Sequence, residues 1–169
     1  MPRNVEIKAR VEDPSALLAR VSAIAERGPF EIRQDDTFFA CPNGRLKLRE
    51  LAPSEGQLIF YERADSAGPK VSTYFISPTS EPATLRHALA SALGVTGRIR
   101  KRRLLFLTGP TRIHLDEVEG LGHFIELEVV LADDESVEAG ERVAYGLMHQ
   151  LGILPRSLLT GAYVDLSMT

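Results

Sequence analysis

The stretch Arg112–Ala132, "RIHLDEVEGLGHFIELEVVLA", decides how this chain is read. Ile113 and Leu115, then Ile125, Leu127 and Val129, fall at every second position on either side of a glycine-containing break, which is the period of a β-strand. The intervening positions hold Arg112, His114 and Asp116 in the first strand and Phe124, Glu126 and Glu128 in the second. Each strand therefore has one apolar face and one charged face.

The same texture recurs outward from this pair. Near the start, "NVEIKARV" (4–11) sets Val5, Ile7, Ala9 and Val11 against Asn4, Glu6, Lys8 and Arg10. From Asp35 to Pro78, "DDTFFA", "GRLKLRE", "GQLIFYERAD" and "KVSTYFISP" alternate in short runs broken by "CPNG", "APSEG" and "DSAGP", as in an antiparallel meander. Arg45, Lys47 and Arg49 share a face there, and Arg63 shares one with Ile59 and Tyr61. "RIRKRRLLFLTG" (98–109) separates Lys101 and Arg103 on one face from Arg100 and Arg102 on the other, and turns at Gly109-Pro110 into the strand that begins at Thr111. Helices are predicted from Asp13-Pro14 to a stop at Gly28-Pro29, over "TSEPATLRHALASALG" to Gly94, and over "DDESVEAGERVAYGLMHQLG" to Gly152. The tail "PRSLLTGAYVDLSMT" is expected to be short helical or irregular structure.

About eight strands with few helices give an α+β protein whose antiparallel sheet must expose long edges or close on itself, and closure removes the edges. In a closed barrel side chains alternate between lumen and exterior. If the charged faces point outward they are ordinary solvated sheet. If they point inward, the lumen holds far more charge than can be buried unpaired, so it must be wet and must suit a ligand that answers both signs. Clustered Arg and Lys suit the oxygens of a polyphosphate, and clustered carboxylates suit Mg²⁺ or Mn²⁺ bridging to those oxygens.

The chain has 169 residues, 44% hydrophobic, and is expected to form a single domain over 1–169. Its net charge of −3 provides no global footprint for nucleic acid or an anionic membrane, so a basic site must be local. One cysteine, Cys41, excludes an intramolecular disulfide and a cysteine-based metal framework. With no apolar signal core in "MPRNVEIK" and no long apolar run, a soluble cytoplasmic protein is expected.

"NVEIK", "KLRE", "KRRLLFL", "RIHLDEVEGLG" and "FIELEVV", in that order from residue 4 to about 131, resemble the CYTH family, the triphosphate tunnel metalloenzymes that include class IV adenylate cyclases and thiamine triphosphatases. The resemblance implies a closed eight-stranded antiparallel barrel with a charged tunnel. It matches Glu6 and Lys8 to the last two charged positions of the family's E-x-E-x-K signature, with Asn4 in place of the first glutamate. It further implies Glu6, Asp116, Glu126 and Glu128 as ligands of Mg²⁺ or Mn²⁺, and Lys47, Arg49, Arg63, Lys101, Arg103 and Arg112 as triphosphate-binding residues. Lys8 and Glu6 are the implied catalytic groups, Lys8 neutralising developing charge or holding a neighbouring carboxylate. The partner is then a small-molecule triphosphate of the tripolyphosphate, ATP or thiamine triphosphate class, with no nucleic acid and no membrane.

Water as nucleophile makes the protein a triphosphatase. The ribose 3′-hydroxyl of ATP makes it an adenylate cyclase. Hydrolysis is favoured here because no adenine pocket can be read from the chain, with the cyclase as the alternative and a non-catalytic polyphosphate- or nucleotide-binding module as a third reading. His114 reads as a satisfied strand histidine. The run "RIRKRR" leads into an apolar strand of an acidic chain, which disfavours a nucleic-acid site. The glycines of "EGLGH" lack the Lys-Ser/Thr of a phosphate-binding loop.

Overall fold

The structure, a computed structural model, describes residues 2–64 and 66–167. Strands β1 (Arg3–Arg10), β2 (Arg27–Phe39), β3 (Arg45–Ala52), β4 (Glu55–Arg63), β5 (Lys70–Thr79), β6 (Val95–Thr108), β7 (Thr111–Val118) and β8 (Gly122–Leu131) close into a barrel in the order β1-β5-β4-β3-β2-β6-β7-β8. Every pairing is antiparallel, and β8 returns to β1 with Glu128 opposite Glu6 and Glu126 opposite Lys8. That closure places Glu6 and Lys8 beside the two glutamates of β8.

The apolar faces that alternation predicted point outward, where helices cover them. Helix α1 (Pro14–Ile24) and α3 (Val137–Leu151) lie on one side of the barrel and bury Ile7, Ala9, Phe106, Ile113, Ile125 and Leu127 from β1, β6, β7 and β8 against Leu17, Val21, Met148 and Leu151. Val5, Val129 and Leu131 pack on Ala144 of α3 in the same layer. Gly140 makes this approach possible, since a Cβ there would stand 2.6 Å from Leu131 Cδ2 and 2.9 Å from Val5 Cγ2. The main core therefore lies outside the barrel wall, leaving the inner face free to be polar. Helix α2 (Pro82–Leu93) packs on β3. None of the helices among the described residues is long and apolar enough to cross a membrane.

Helix ends follow their capping chemistry. Asp13 accepts a hydrogen bond from Ala16 N at 3.1 Å, Ser136 accepts one from Ala139 N at 3.2 Å, and Gly152 takes the left-handed conformation that closes α3. One expectation needs correction. Helix α1 ends at Ile24, and Gly28-Pro29, read as the stop of that helix, lies inside β2, a 13-residue strand. Gly28 has φ +106° and Pro29 donates no backbone hydrogen bond, so the β2–β6 register slips between Arg27 and Phe30 and resumes. The tail forms a turn of 3₁₀-helix (Pro155–Ser157) and a short helix α4 (Tyr163–Ser167) that closes one end of the barrel. Ala162, Tyr163 and Val164 join Phe38, Ile59, Tyr61, Ile99, Val118 and Phe124 in an apolar cluster there.

Candidate active site

The lumen is a cavity of about 280 Å³ lined, among the described residues, by seven cationic side chains and four carboxylates. Tyr163 and Ala162 form its floor. At the other end, by strand register, Ile32, Gln57 and Ile76 line the cavity, and Ile76 is 49% exposed, so this end opens to solvent. Among the described residues, the tail covers one end of the barrel and the other end is open.

One wall is cationic. Asp36, 1% exposed, receives two hydrogen bonds of 2.8 Å from Arg49 on the facing strand β3, and Lys47 and Lys101 approach the same carboxylate at 3.4 and 3.5 Å. Three cations thus share one anion. Burial alone would raise the Asp36 pKa, but Arg49, Lys47 and Lys101 outweigh it and hold the carboxyl well below its ordinary range. Burial and the neighbouring Arg49 bring Lys47 down to about 8 despite Asp36, and burial lowers Lys101 as well. Positive charge here is held at a cost that an anionic ligand would relieve.

The opposite wall is acidic. Glu126 is bracketed by Lys8 Nζ, 3.3 Å from Oε2, and His114 Nδ1, 3.2 Å from Oε1. Glu128 Oε2 accepts from Arg112 at 2.8 Å, while Glu6 pairs with Arg63. Burial, followed by repulsion from Glu126, raises the pKa of Glu6 in spite of Arg63. Glu126 moves the opposite way: its burial is outweighed by Lys8, His114 and Arg103, which hold it well below the ordinary value. Donor atoms of His114, Glu126 and Glu128 lie within 4.8 Å of one another, and the buried Asn4 Oδ1 in the same cavity has no hydrogen-bond partner. A compact set of hard oxygen donors with one imidazole fits a divalent cation.

Asp116 also faces inward, but both its oxygens are engaged. Oδ1 and Oδ2 each accept a 2.8 Å bond from Arg103, and Oδ2 accepts a 2.7 Å bond from the Tyr163 hydroxyl. The Tyr163 ring lies beneath two ammonium groups, 3.9 Å from Lys8 Nζ and 5.1 Å from Lys101 Nζ. Arg63 donates to Gly161 O at 2.6 Å and Arg45 to Asp165 at 2.7 Å, so the barrel wall holds the tail in place.

Every residue singled out by sequence for triphosphate or metal binding, Glu6, Lys8, Lys47, Arg49, Arg63, Lys101, Arg103, Arg112, Asp116, Glu126 and Glu128, is thus brought to the inner face of one barrel. Arg100 and Arg102 face outward as their alternation predicts, against Asp35, Glu31 and Glu117. The CYTH domain matches residues 2–163. The chain belongs to the CYTH family.

It is 25% identical over 167 residues to adenylate cyclase CyaB of Aeromonas hydrophila, across 94% of this chain and 85% of that one. Among solved structures it is similar to the PH1012 protein of Pyrococcus horikoshii OT3, with TM-score 0.84 and 19% identity over 96% of this chain and 98% of the other. It is also similar to HpAC1 of Hippeastrum, a candidate adenylyl cyclase described as having a dominant triphosphatase activity, with TM-score 0.64 and 17% identity over 94% and 91% of the two chains.

Asp36 and Tyr163 of the lumen escaped the sequence reading of this CYTH chain's site. Asp36 sits in phase with Gln34 and Phe38, so alternation carried through "RQDDTFF" would have found it once one face was known to be internal. His114, read as a satisfied strand histidine, is buried beside Glu126 and Glu128. For Tyr163 there was no signal, because nothing in "TGAYVDLS" tells that it enters a barrel.

Proposed function

We propose that this CYTH chain is a divalent-metal-dependent enzyme acting on a triphosphate group, and that it hydrolyses tripolyphosphate or an organic triphosphate. The observation that carries this reading is the single carboxylate of Asp36 shared by Lys47, Arg49 and Lys101 directly across the cup from Glu6, Glu126 and Glu128. A phosphate chain satisfies the first wall and a metal ion the second, and only a ligand carrying both answers the whole cavity.

Lys47, Arg49, Lys101 and Arg103 bind and orient the phosphates, with Arg63 and Arg112 between the two walls. Glu6, Glu126 and Glu128 would hold the metal, and Asp116 could join them only by releasing Arg103; as placed, Asp116 orients that guanidinium. A divalent ion held there would supply charge neutralisation and Lewis acidity. Lys8, held between Glu126 and the Tyr163 ring, stabilises negative charge developing near the acidic wall. Fixed positions and preorganised charge, rather than covalent chemistry, carry phosphoryl transfer of this kind.

The closed floor favours hydrolysis. The charged end of the substrate enters first and its organic group stays at the mouth, near Ile32 and Ile76. Cyclisation would require the nucleoside to fold back into a lumen lined largely by charge. The 25% identity to adenylate cyclase CyaB keeps cyclisation as the second reading. Incubation with Mg²⁺ or Mn²⁺ and, separately, tripolyphosphate and ATP, with phosphate, pyrophosphate and cyclic AMP measured together, tests both. Phosphate without cyclic AMP is expected. Cyclic AMP with stoichiometric pyrophosphate would overturn hydrolysis in favour of the cyclase, and no turnover by protein that binds tripolyphosphate would overturn the enzyme reading in favour of a binding module.

A further inference from the structure

The acidic wall contains a nitrogen donor in a position that the phosphate-binding role leaves unexplained. His114 is 5% exposed and lies on β7 between two glutamates of β8, opposite Glu126 and diagonal to Glu128. Its Nδ1 stands 3.2 Å from Glu126 Oε1 and 4.0 Å from Glu128 Oε1. The second oxygen of each carboxylate is turned away toward a cation, Lys8 for Glu126 and Arg112 for Glu128. One nitrogen and two oxygens therefore converge, while the remaining oxygens are anchored by charged groups that fix the carboxylate planes, as outer partners of metal ligands do.

The separations suit coordination. With ligand distances of about 2.1 Å, adjacent octahedral donors lie about 3 Å apart and opposite ones about 4.2 Å, and the two separations here fall within that span. An independent sign of a missing ligand is Asn4 Oδ1, 3% exposed without a hydrogen-bond partner on the strand that carries Glu6 and lining the same cavity.

We propose that His114 is a metal ligand through Nδ1, completing with Glu126 and Glu128 a mixed nitrogen–oxygen site that selects Mn²⁺ over Mg²⁺. This rests on the metal-dependent reading of the lumen and refines it. Mg²⁺ is a hard ion served by oxygen donors and reluctant to lose its waters, whereas an imidazole nitrogen adds affinity for first-row transition ions. Mn²⁺ accepts that nitrogen and still suits carboxylate and phosphate oxygens. In this role the imidazole is neutral, with its proton on Nε2 and the Nδ1 lone pair on the ion.

Pulsed electron paramagnetic resonance on the full chain loaded with Mn²⁺ alone reads the bond directly, because a coordinated imidazole imposes a ¹⁴N modulation on the echo. The expected result is that modulation in the wild type and its loss in His114→Gln. His87, His123 and His149 lie outside the lumen and cannot substitute. Calorimetry should show Mn²⁺ binding weakened at least about tenfold in the variant, the scale on which changes around a metal site act, with Mg²⁺ binding much less affected. Bound Mn²⁺ with no ¹⁴N modulation in the wild type would overturn histidine ligation while leaving the carboxylate site standing. No stoichiometric Mn²⁺ binding at all would overturn both this inference and the metal-dependent reading beneath it.

Discussion

Asp36→Asn separates what holds the cup together from what it is built to hold. Asp36 is the carboxylate to which Lys47, Arg49 and Lys101 all point, and it is 1% exposed. Asparagine keeps the shape and one acceptor oxygen but removes the charge, leaving three buried cations to repel one another. Removing one partner of a buried ion pair costs about 3 to 5 kcal/mol. Lys47 and Lys101, whose pKa values burial already lowers, can shed protons and soften the repulsion, so the lower figure of about 3 kcal/mol applies. For a chain of this length that is a fall in Tm of about 6 to 12 °C.

Tripolyphosphate should narrow the difference. Asp36 competes with phosphate oxygens for the same donors, so in the variant those donors are freer, Kd falls, and the stabilisation given by binding grows. Thermal unfolding of both proteins across a tripolyphosphate titration should therefore show a gap that narrows as ligand is added, with far-UV circular dichroism confirming the barrel in each. A variant as stable as the wild type without ligand, or a gap that stays constant or widens with ligand, would refute the assignment of this wall as an anion site neutralised by Asp36.

Glu126→Gln should lower turnover about a hundredfold or more, since the lost metal-based charge stabilisation is worth several kcal/mol, while tripolyphosphate binding measured by calorimetry persists. Loss of binding as well would mean that the acidic wall is structural. The pH dependence has a definite sign: Lys47, with its pKa brought to about 8, takes up a proton when an anion binds, so tripolyphosphate affinity should weaken as pH rises through 8, and the dependence should be smaller in Lys47→Met. An identical pH profile in the two proteins would place that proton elsewhere. Tyr163→Phe removes the 2.7 Å hydrogen bond to Asp116, which keeps both bonds from Arg103, so a loss of about 1.5 kcal/mol in urea unfolding is expected. An unchanged midpoint would show that the tail does not support the Arg103 clamp.

The period of two along each strand determined, from sequence alone, which residues travel together: Lys101 with Arg103, Arg100 with Arg102, Glu126 with Glu128. Alternation is local, set by the pleat, and needs no knowledge of what lies on either side. Glycine chemistry at Gly152 determined the C-terminal end of α3 on the same local grounds, while its start at Val137, capped by Ser136, lies inside the acidic run read as the helix start. What sequence could not determine was which set faces the lumen, because period two is symmetric between faces; the choice was made when α1 and α3 covered the apolar side of β1, β7 and β8, leaving the charged side to the interior. Resemblance to the CYTH motifs pointed the same way, since it carries that tertiary outcome within it. Gly28-Pro29 misled because a local breaker was overruled by pairing with β6 on both sides of the slip.

Tyr163 illustrates the other limit. Its hydroxyl reaches Asp116 across 47 residues of sequence, and its ring meets Lys8 from the first strand, so its role exists only once the tail has folded into the barrel's end. The charges of the site were written in the alternation of single strands; their division into a cationic wall, an acidic wall and a floor was decided by barrel closure, which brings distant strands within reach of one another.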